Sequence, residues 1–156
     1  MKIYLRKLEI NDALISYRWR NNPKIWALTG NRPDRVITPE IELDWIKKVL
    51  SRNNEYRCAI CIEGTDEYIG NVQLTNINNG CAEFHIFIGE EKYWGKGIGT
   101  VATKQMIKIG FEKLELNEIY LFVHKLNIPA IKVYLNCGFV IEQSDGNQIK
   151  MVIRKQ

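Results

Sequence analysis

Trp94-Gly95-Lys96-Gly97-Ile98-Gly99-Thr100 places three alternating glycines between a strand-like run and a long apolar-periodic run, and its reading decides how the chain is arranged. Glycine lets a backbone approach a ligand closely, and the unpaired amides and dipole of a helix start attract phosphate oxygens. Lys96 adds a mobile positive charge. The stretch is therefore expected to hold a diphosphate. The familiar phosphate motifs do not fit: a P-loop needs Gly, four residues and Gly-Lys-Ser/Thr, and the dinucleotide fingerprint needs G-x-G-x-x-G after a first strand. Taken alone, the stretch equally suits a tight strand-to-helix connection.

Its surroundings narrow the choice. Three strand-like segments precede it, 56–63, 68–76 and 81–88, separated by the turn signals Glu63-Gly64-Thr65-Asp66 and Asn78-Asn79-Gly80, which predict an antiparallel meander. A helix is expected over 97–114, with Ile98, Val101, Ala102, Met106 and Ile109 on one face. Beyond it come a strand over 119–123, a helix capped by Asn127 and ended before Gly138, and closing strands at 139–143 and 148–154. Upstream lie a strand at 2–8, a helix at 11–20, a helical turn near Pro23, and a helix capped by Thr38 with Pro39 at its first position. The predicted order is βααβββαβαββ, an α+β (α/β) fold. It implies a mixed, mostly antiparallel central sheet of about seven strands with about four helices and one parallel crossover.

With 156 residues, 46% hydrophobic and 26% charged, the chain reads as a single domain over 1–156 that can form a core unaided. Cys58, Cys61, Cys81 and Cys137 lie in apolar runs and no signal-like segment opens the chain, so a reduced cytoplasmic setting is expected. Cys58 and Cys61 should point to opposite faces of a strand, and no second Cys/His pair supports a metal. No apolar run approaches the ~18 residues of a membrane span. A net charge of +4 is too modest to imply nucleic acid. Between residues 18 and 35, Arg18, Arg20, Lys24, Arg32 and Arg35 face one acid, Asp34, which reads either as a solvated basic face or as an anion-binding rim.

Trp94 to Gly99 resembles the coenzyme A loop of the GNAT superfamily of N-acetyltransferases, Arg/Gln-x-x-Gly-x-Gly/Ala, with both glycines in place and Trp94 where Arg or Gln is usual. That departure is familiar in the branch resembling ribosomal-protein N-terminal acetyltransferases and amino-sugar nucleotide acetyltransferases. It leaves pyrophosphate binding to the amides of Gly95 to Thr100 and to Lys96. A second stretch, Asn127-Ile128-Pro129-Ala130-Ile131-Lys132-Val133-Tyr134-Leu135-Asn136-Cys137-Gly138-Phe139, resembles the family's Asn-x-x-Ala-x-x-x-Tyr-x-x-x-Gly-Phe throughout. The resemblance implies a GNAT fold, acetyl-CoA as cosubstrate with no metal, and coenzyme contacts from Phe87, Ile88, Trp94 to Thr100, Asn127, Ala130 and Tyr134.

Acetyl transfer to an amine constrains the remaining roles. An ammonium with pKa near ~10 must lose a proton before attack, and the leaving thiolate, near ~8.5, must regain one. The resemblance makes Tyr134 the acid and places an oxyanion-binding amide near Ile88. Strand alternation puts Glu83, His85 and Phe87 on one face, with Glu83 the first candidate base, acting through water, and His85 the second. His124 is expected to be structural. Trp19, Arg20 and Asn21, with Arg32 and Arg35, resemble acceptor walls of the amino-sugar branch, and their arginines suit a small anionic acceptor such as a nucleotide sugar. A protein N-terminus is the alternative acceptor, and a non-catalytic coenzyme A sensor the alternative of another class. A monomer or homodimer is expected.

Overall fold

The computed structural model describes the backbone of residues 1–156 and every side chain except that of Leu28. The chain runs β1 (Ile3–Lys7), α1 (Ala13–Arg20), α2 (Pro23–Thr29), α3 (Pro39–Leu50), β2 (Tyr56–Ile62), β3 (Tyr68–Asn78) and β4 (Cys81–Ile88), then α4 (Ile98–Lys108), β5 (Glu118–His124), α5 (Ile128–Asn136), β6 (Val140–Asp145) and β7 (Gln148–Arg154). The helical turn expected at Pro23 extends to a full short helix. Asn22 caps it, accepting from the Lys24 amide, and left-handed Gly30 ends it. The described residues thus form five helices around seven strands.

The strands make one sheet in the order β1-β2-β3-β4-β5-β7-β6. Every neighbouring pair is antiparallel except β4 with β5, the crossover spanned by α4. Strands β2 to β4 carry apolar side chains on both faces, so each face needs its own cover. One face, with Ile60, Val72, Leu74, Phe84 and Leu121, packs under α4 and α5 through Ile98, Met106 and Ile131. The other, with Ala59, Cys61 and Tyr68, packs under Ala13, Trp19, Ile25 and Ile46 of the first three helices. Cys58 and Cys61 fall on opposite faces, as the strand period requires.

The buried stripe of α4 differs from the expected one. Ile98, Ala102, Thr103, Met106 and Ile107 are buried, while Val101 lies at the stripe's margin, 39% exposed. The helix closes in a π-type turn over Ile109–Lys113. There a side chain on Gly110 would meet the Ile119 Cδ1 at 2.8 Å, so glycine lets the turn settle onto the sheet. No described helix is long and apolar enough to cross a membrane.

The first and third helices are joined by a buried ion pair. Glu42, 2% exposed, accepts from the Ser16 hydroxyl at 2.7 Å and from an Arg20 guanidinium nitrogen at 2.8 Å. The Arg20 guanidinium also lies over the Trp45 ring, 5.3 Å from its centroid. A carboxylate at that depth is tolerated only while paired. Arg20→Ala is therefore expected to cost about 3 kcal/mol in unfolding free energy, whereas a paired Arg20→Met, Glu42→Leu replacement should be near neutral. Denaturant titration of both variants checks this.

Candidate active site

The parallel ladder between β4 and β5 covers only Cys81↔Glu118, Ala82↔Ile119 and Glu83↔Tyr120. Past that point β4 stays paired with β3 up to Gly70↔Ile88, while β5 stays paired with β7 to His124↔Gln148. The two strands therefore part, and a gap opens through the middle of the sheet. The Gly89 amide donates to the Ile69 carbonyl at 2.7 Å. In that antiparallel register Phe87 directs its backbone groups to β3, while Ile86 and Ile88 direct theirs into the gap. The indole Nε1 of Trp94 donates to the Ile88 carbonyl at 2.9 Å. Ile88 thus presents its amide to the gap with its carbonyl already engaged.

A braced loop rims the upper end. A side chain at Gly89 would collide with the Trp19 indole at 2.1 Å, so only glycine lets β4 leave the sheet there. Glu90 pairs with Arg18 at 3.3 Å, Glu91 with Lys24 at 3.2 Å, and the Tyr93 hydroxyl donates to Glu67 at 2.6 Å. Gly95 and Gly97 are left-handed, φ 71° and 79°. Asn22, Thr38 and Asn127 cap α2, α3 and α5 with their side chains, but α4 starts at Gly97 with no side-chain cap. Its first amides, beside Lys96, are the donors a diphosphate would use. The residues fit the coenzyme that the glycine pattern implies.

Groups with proton chemistry approach the gap from both faces of the sheet. Tyr134 comes from α5, its ring edge-on to Phe84 and Phe139. Burial pushes its hydroxyl up to about 12, so it stays a proton donor. Asn127 caps the same helix, accepting from the Ala130 amide at 3.3 Å. From the opposite face come Glu83 and His85, and they form a pair: His85 Nε2 lies 3.2 Å from a Glu83 carboxylate oxygen. With Nε2 on the side of the carboxylate, Nδ1 is the ring nitrogen turned away from Glu83. Partial desolvation pushes the pKa of the half-exposed His85 below its ordinary value, opposed by Glu83 and assisted by Arg57. The two expected candidate bases are thus linked members of one unit.

The expected acceptor wall is arranged differently. Trp19 is core, packed against Tyr68 and Phe87, and its Nε1 has no hydrogen-bond partner among the described residues. Arg20 is committed to Glu42. The Asn21 side chain bridges the Ile37 amide and carbonyl at 2.7 and 2.8 Å, pinning the approach to α3. Arg32 and Arg35 do line an open dish of about 360 Å³ with Trp26, Pro33 and Val36, the Arg32 guanidinium lying over the Trp26 ring. Sequence patterning missed Arg57 and Gln73, which share a cross-strand row with His85. The Asn78-Asn79-Gly80 turn alone would set Gln73 opposite Ile86; the irregularity between Thr75 and Asn78 shifts the register by one and brings Gln73 opposite His85, which local turn signals do not show. His124 is structural: its Nδ1 accepts from the Leu126 amide at 3.1 Å. Among the described residues no three His, Cys, Asp or Glu side chains gather as a metal would need.

Comparison with known proteins gives the family and the fold. The family model described as an acetyltransferase (GNAT) domain matches residues 2–140. The chain is 34% identical over 143 residues to the spermidine N(1)-acetyltransferase of Escherichia coli K12, spanning 90% of this chain and 74% of that one. It is 26% identical over 139 residues to the acetyltransferase PseH of Campylobacter jejuni, spanning 89% and 83%. Its structure is similar to that of the spermidine N-acetyltransferase from Vibrio cholerae in complex with CoA and spermine, with a TM-score of 0.86, 27% identity, and 97% and 95% of the two chains covered.

Partial desolvation of His85, whose side chain is 45% exposed, predicts a titration midpoint below its ordinary 6.5, with the neutral ring favoured in the fold. Because the folded value lies below the unfolded one, this contribution to stability is present above 6.5 and is lost as the pH falls through the folded midpoint. NMR titration of the His85 ring checks the midpoint. The acid-side loss of stability should shrink in His85→Gln.

Proposed function

The chain belongs to the acetyltransferase (GNAT) family and is an acetyl-CoA-dependent N-acetyltransferase, and from that premise we propose that its acceptor is a small polycationic amine of the spermidine class. The observation that carries this reading is the charge of the acceptor-side face. Arg18, Arg20 and Lys24 of the basic segment each meet a carboxylate, so they do not form an anion trap. Meanwhile Glu83 stands with His85 beside the gap, where an approaching ammonium is attracted rather than repelled. The relatives named for spermidine acetylation support the same class.

Acetyl-CoA supplies the acetyl group as a thioester. The first amides of α4 and Lys96 would hold the coenzyme's diphosphate, and the unpaired backbone of Ile86 would receive its amide-bearing arm. His85, whose partial desolvation favours the neutral ring, takes a proton from the acceptor ammonium at Nδ1, while Glu83 orients the ring and balances the imidazolium charge. As the C–N bond forms, the Ile88 amide donates to the carbonyl oxygen that gains negative charge. The Tyr134 hydroxyl protonates the sulfur as the C–S bond breaks, and the second proton lost from the acylated nitrogen restores the hydroxyl. The sheet gap lets base and acid work from opposite faces on one carbon.

The exposed Arg32–Arg35 dish favours a second reading, an amino-sugar nucleotide acceptor, which the PseH relationship also supports. Thiol release from acetyl-CoA separates the two. Spermidine should give the higher kcat/KM, with activity falling on the acid side as His85 is protonated. A preference for the amino-sugar nucleotide, with its KM raised by Arg32→Ala, would establish the second reading instead, and tight coenzyme binding with no turnover of any amine would indicate a sensor. Tyr134→Phe is expected to lower kcat about 100-fold while leaving the KM for acetyl-CoA nearly unchanged.

A further inference from the structure

We propose that Asn76 is a positioning residue for the Glu83–His85 pair: a left-handed bulge in β3 delivers its side-chain amide to one Glu83 oxygen, so that the other faces His85. The inference rests on the reading of His85 as the base.

The β3–β4 register is regular from Gly70↔Ile88 to Thr75↔Glu83 and then slips, resuming at Asn78↔Cys81. Asn76 and Ile77 lie in the slip, and Asn76 has φ 50°, a conformation that costs a non-glycine residue on the order of 1 kcal/mol. Reversal of the chain does not require it. The turn that follows already uses left-handed Asn79 and Gly80, with φ 52° and 78°. Asparagine is among the few side chains that tolerate this conformation, and bulges of this kind re-aim side chains beside active sites.

The amide so aimed meets Glu83. Asn76 Nδ2 donates to Glu83 Oε1 at 3.2 Å, and Oε2 lies 3.2 Å from His85 Nε2. A glutamate has freely turning bonds, and dividing its two oxygens between two donors fixes the plane of the carboxylate. The donor is neutral, so it orients Glu83 without cancelling the charge that His85 needs; a lysine there would compete with the imidazole. Tyr120 flanks Glu83 from β5, with the Lys150 ammonium over its ring, and Arg57 and Glu55 face His85 from the β2 side. Beside Asn76 and Tyr120 opens a recess of about 550 Å³, lined also by Asn54, Asn78 and Cys81. Without the Asn76 amide, Glu83 Oε1 loses the donor that holds it, and the carboxylate is free to turn about its side-chain bonds.

Asn76→Gly tests this, because glycine accepts φ 50° and only the amide is lost. The melting temperature should not fall. In the isolated protein, NMR titration of His85, told apart from His124 by a His124→Gln reference, should move further down as the imidazolium loses its counter-charge. Turnover of acetyl-CoA with spermidine should drop about tenfold at unchanged KM for acetyl-CoA. In a Glu83→Gln background the same substitution should leave the His85 titration where it is, since the effect passes through Glu83. An unmoved His85 titration in Asn76→Gly overturns the proposal, as does an equal shift in the Glu83→Gln background. A moved titration with undiminished turnover upholds the positioning and removes His85 as the base.

Discussion

The parting of β4 from β5 after three residue pairs is the constraint from which the rest of the site follows. Had the ladder continued, the backbone of Ile86 and Ile88 would be paired within the sheet and the two faces would be sealed from each other. Each strand is drawn away by an antiparallel neighbour, β3 on one side and β7 on the other. On the α4–α5 side Phe84, Tyr134 and Phe139 pack together, Tyr134 edge-on to both phenylalanines and the two phenylalanines tilted to each other. Burial of these rings supplies what the missing ladder bonds do not, since each large aromatic carries more apolar area than any aliphatic neighbour. The gap is therefore a supported feature of the fold.

Much of this was legible in the sequence because it depends on local signals. Strand alternation placed Glu83, His85 and Phe87 together, Asn127 announced its cap, and the glycine alternation marked the uncapped start of α4. What was not legible depends on pairing across the chain. The link between Glu83 and His85 needs side-chain rotamers, and the burial of Glu42 needs the packing of α1 on α3. Val101 was misplaced for a related reason: a spacing of three and four is satisfied by two overlapping stripes, and only contact with the sheet selects the one through Ala102 and Met106.

The basic segment shows how far a count of charges can mislead. Five cations against one acid within residues 18 to 35 looks like an anion rim, but the compensating carboxylates come from elsewhere in the chain, Glu42 in α3 and Glu90 and Glu91 after β4. These pairs differ in weight. Arg18 with Glu90 and Lys24 with Glu91 are exposed enough that solvent screens most of their attraction. Their value is geometric, since both fasten the first two helices to the segment that carries the phosphate loop. Arg20 with Glu42 is the energetic one, because Glu42 has no water to turn to.

Trp94 occupies the position where an arginine or glutamine would supply a side-chain donor to phosphate, and its indole instead donates inward to the Ile88 carbonyl. The consequence reaches the chemistry. An unpaired carbonyl at the end of β4 would present partial negative charge to the same gap where an acyl oxygen must become negative. By occupying that carbonyl, Trp94 leaves Ile88 as a donor only, and the upper gap becomes uniformly favourable to oxygen: the Ile88 amide at one end, the first amides of α4 and Lys96 at the other. The bracing of Glu90, Glu91 and Tyr93 then has a clear purpose, because a Trp94 free to drift would release the carbonyl it holds.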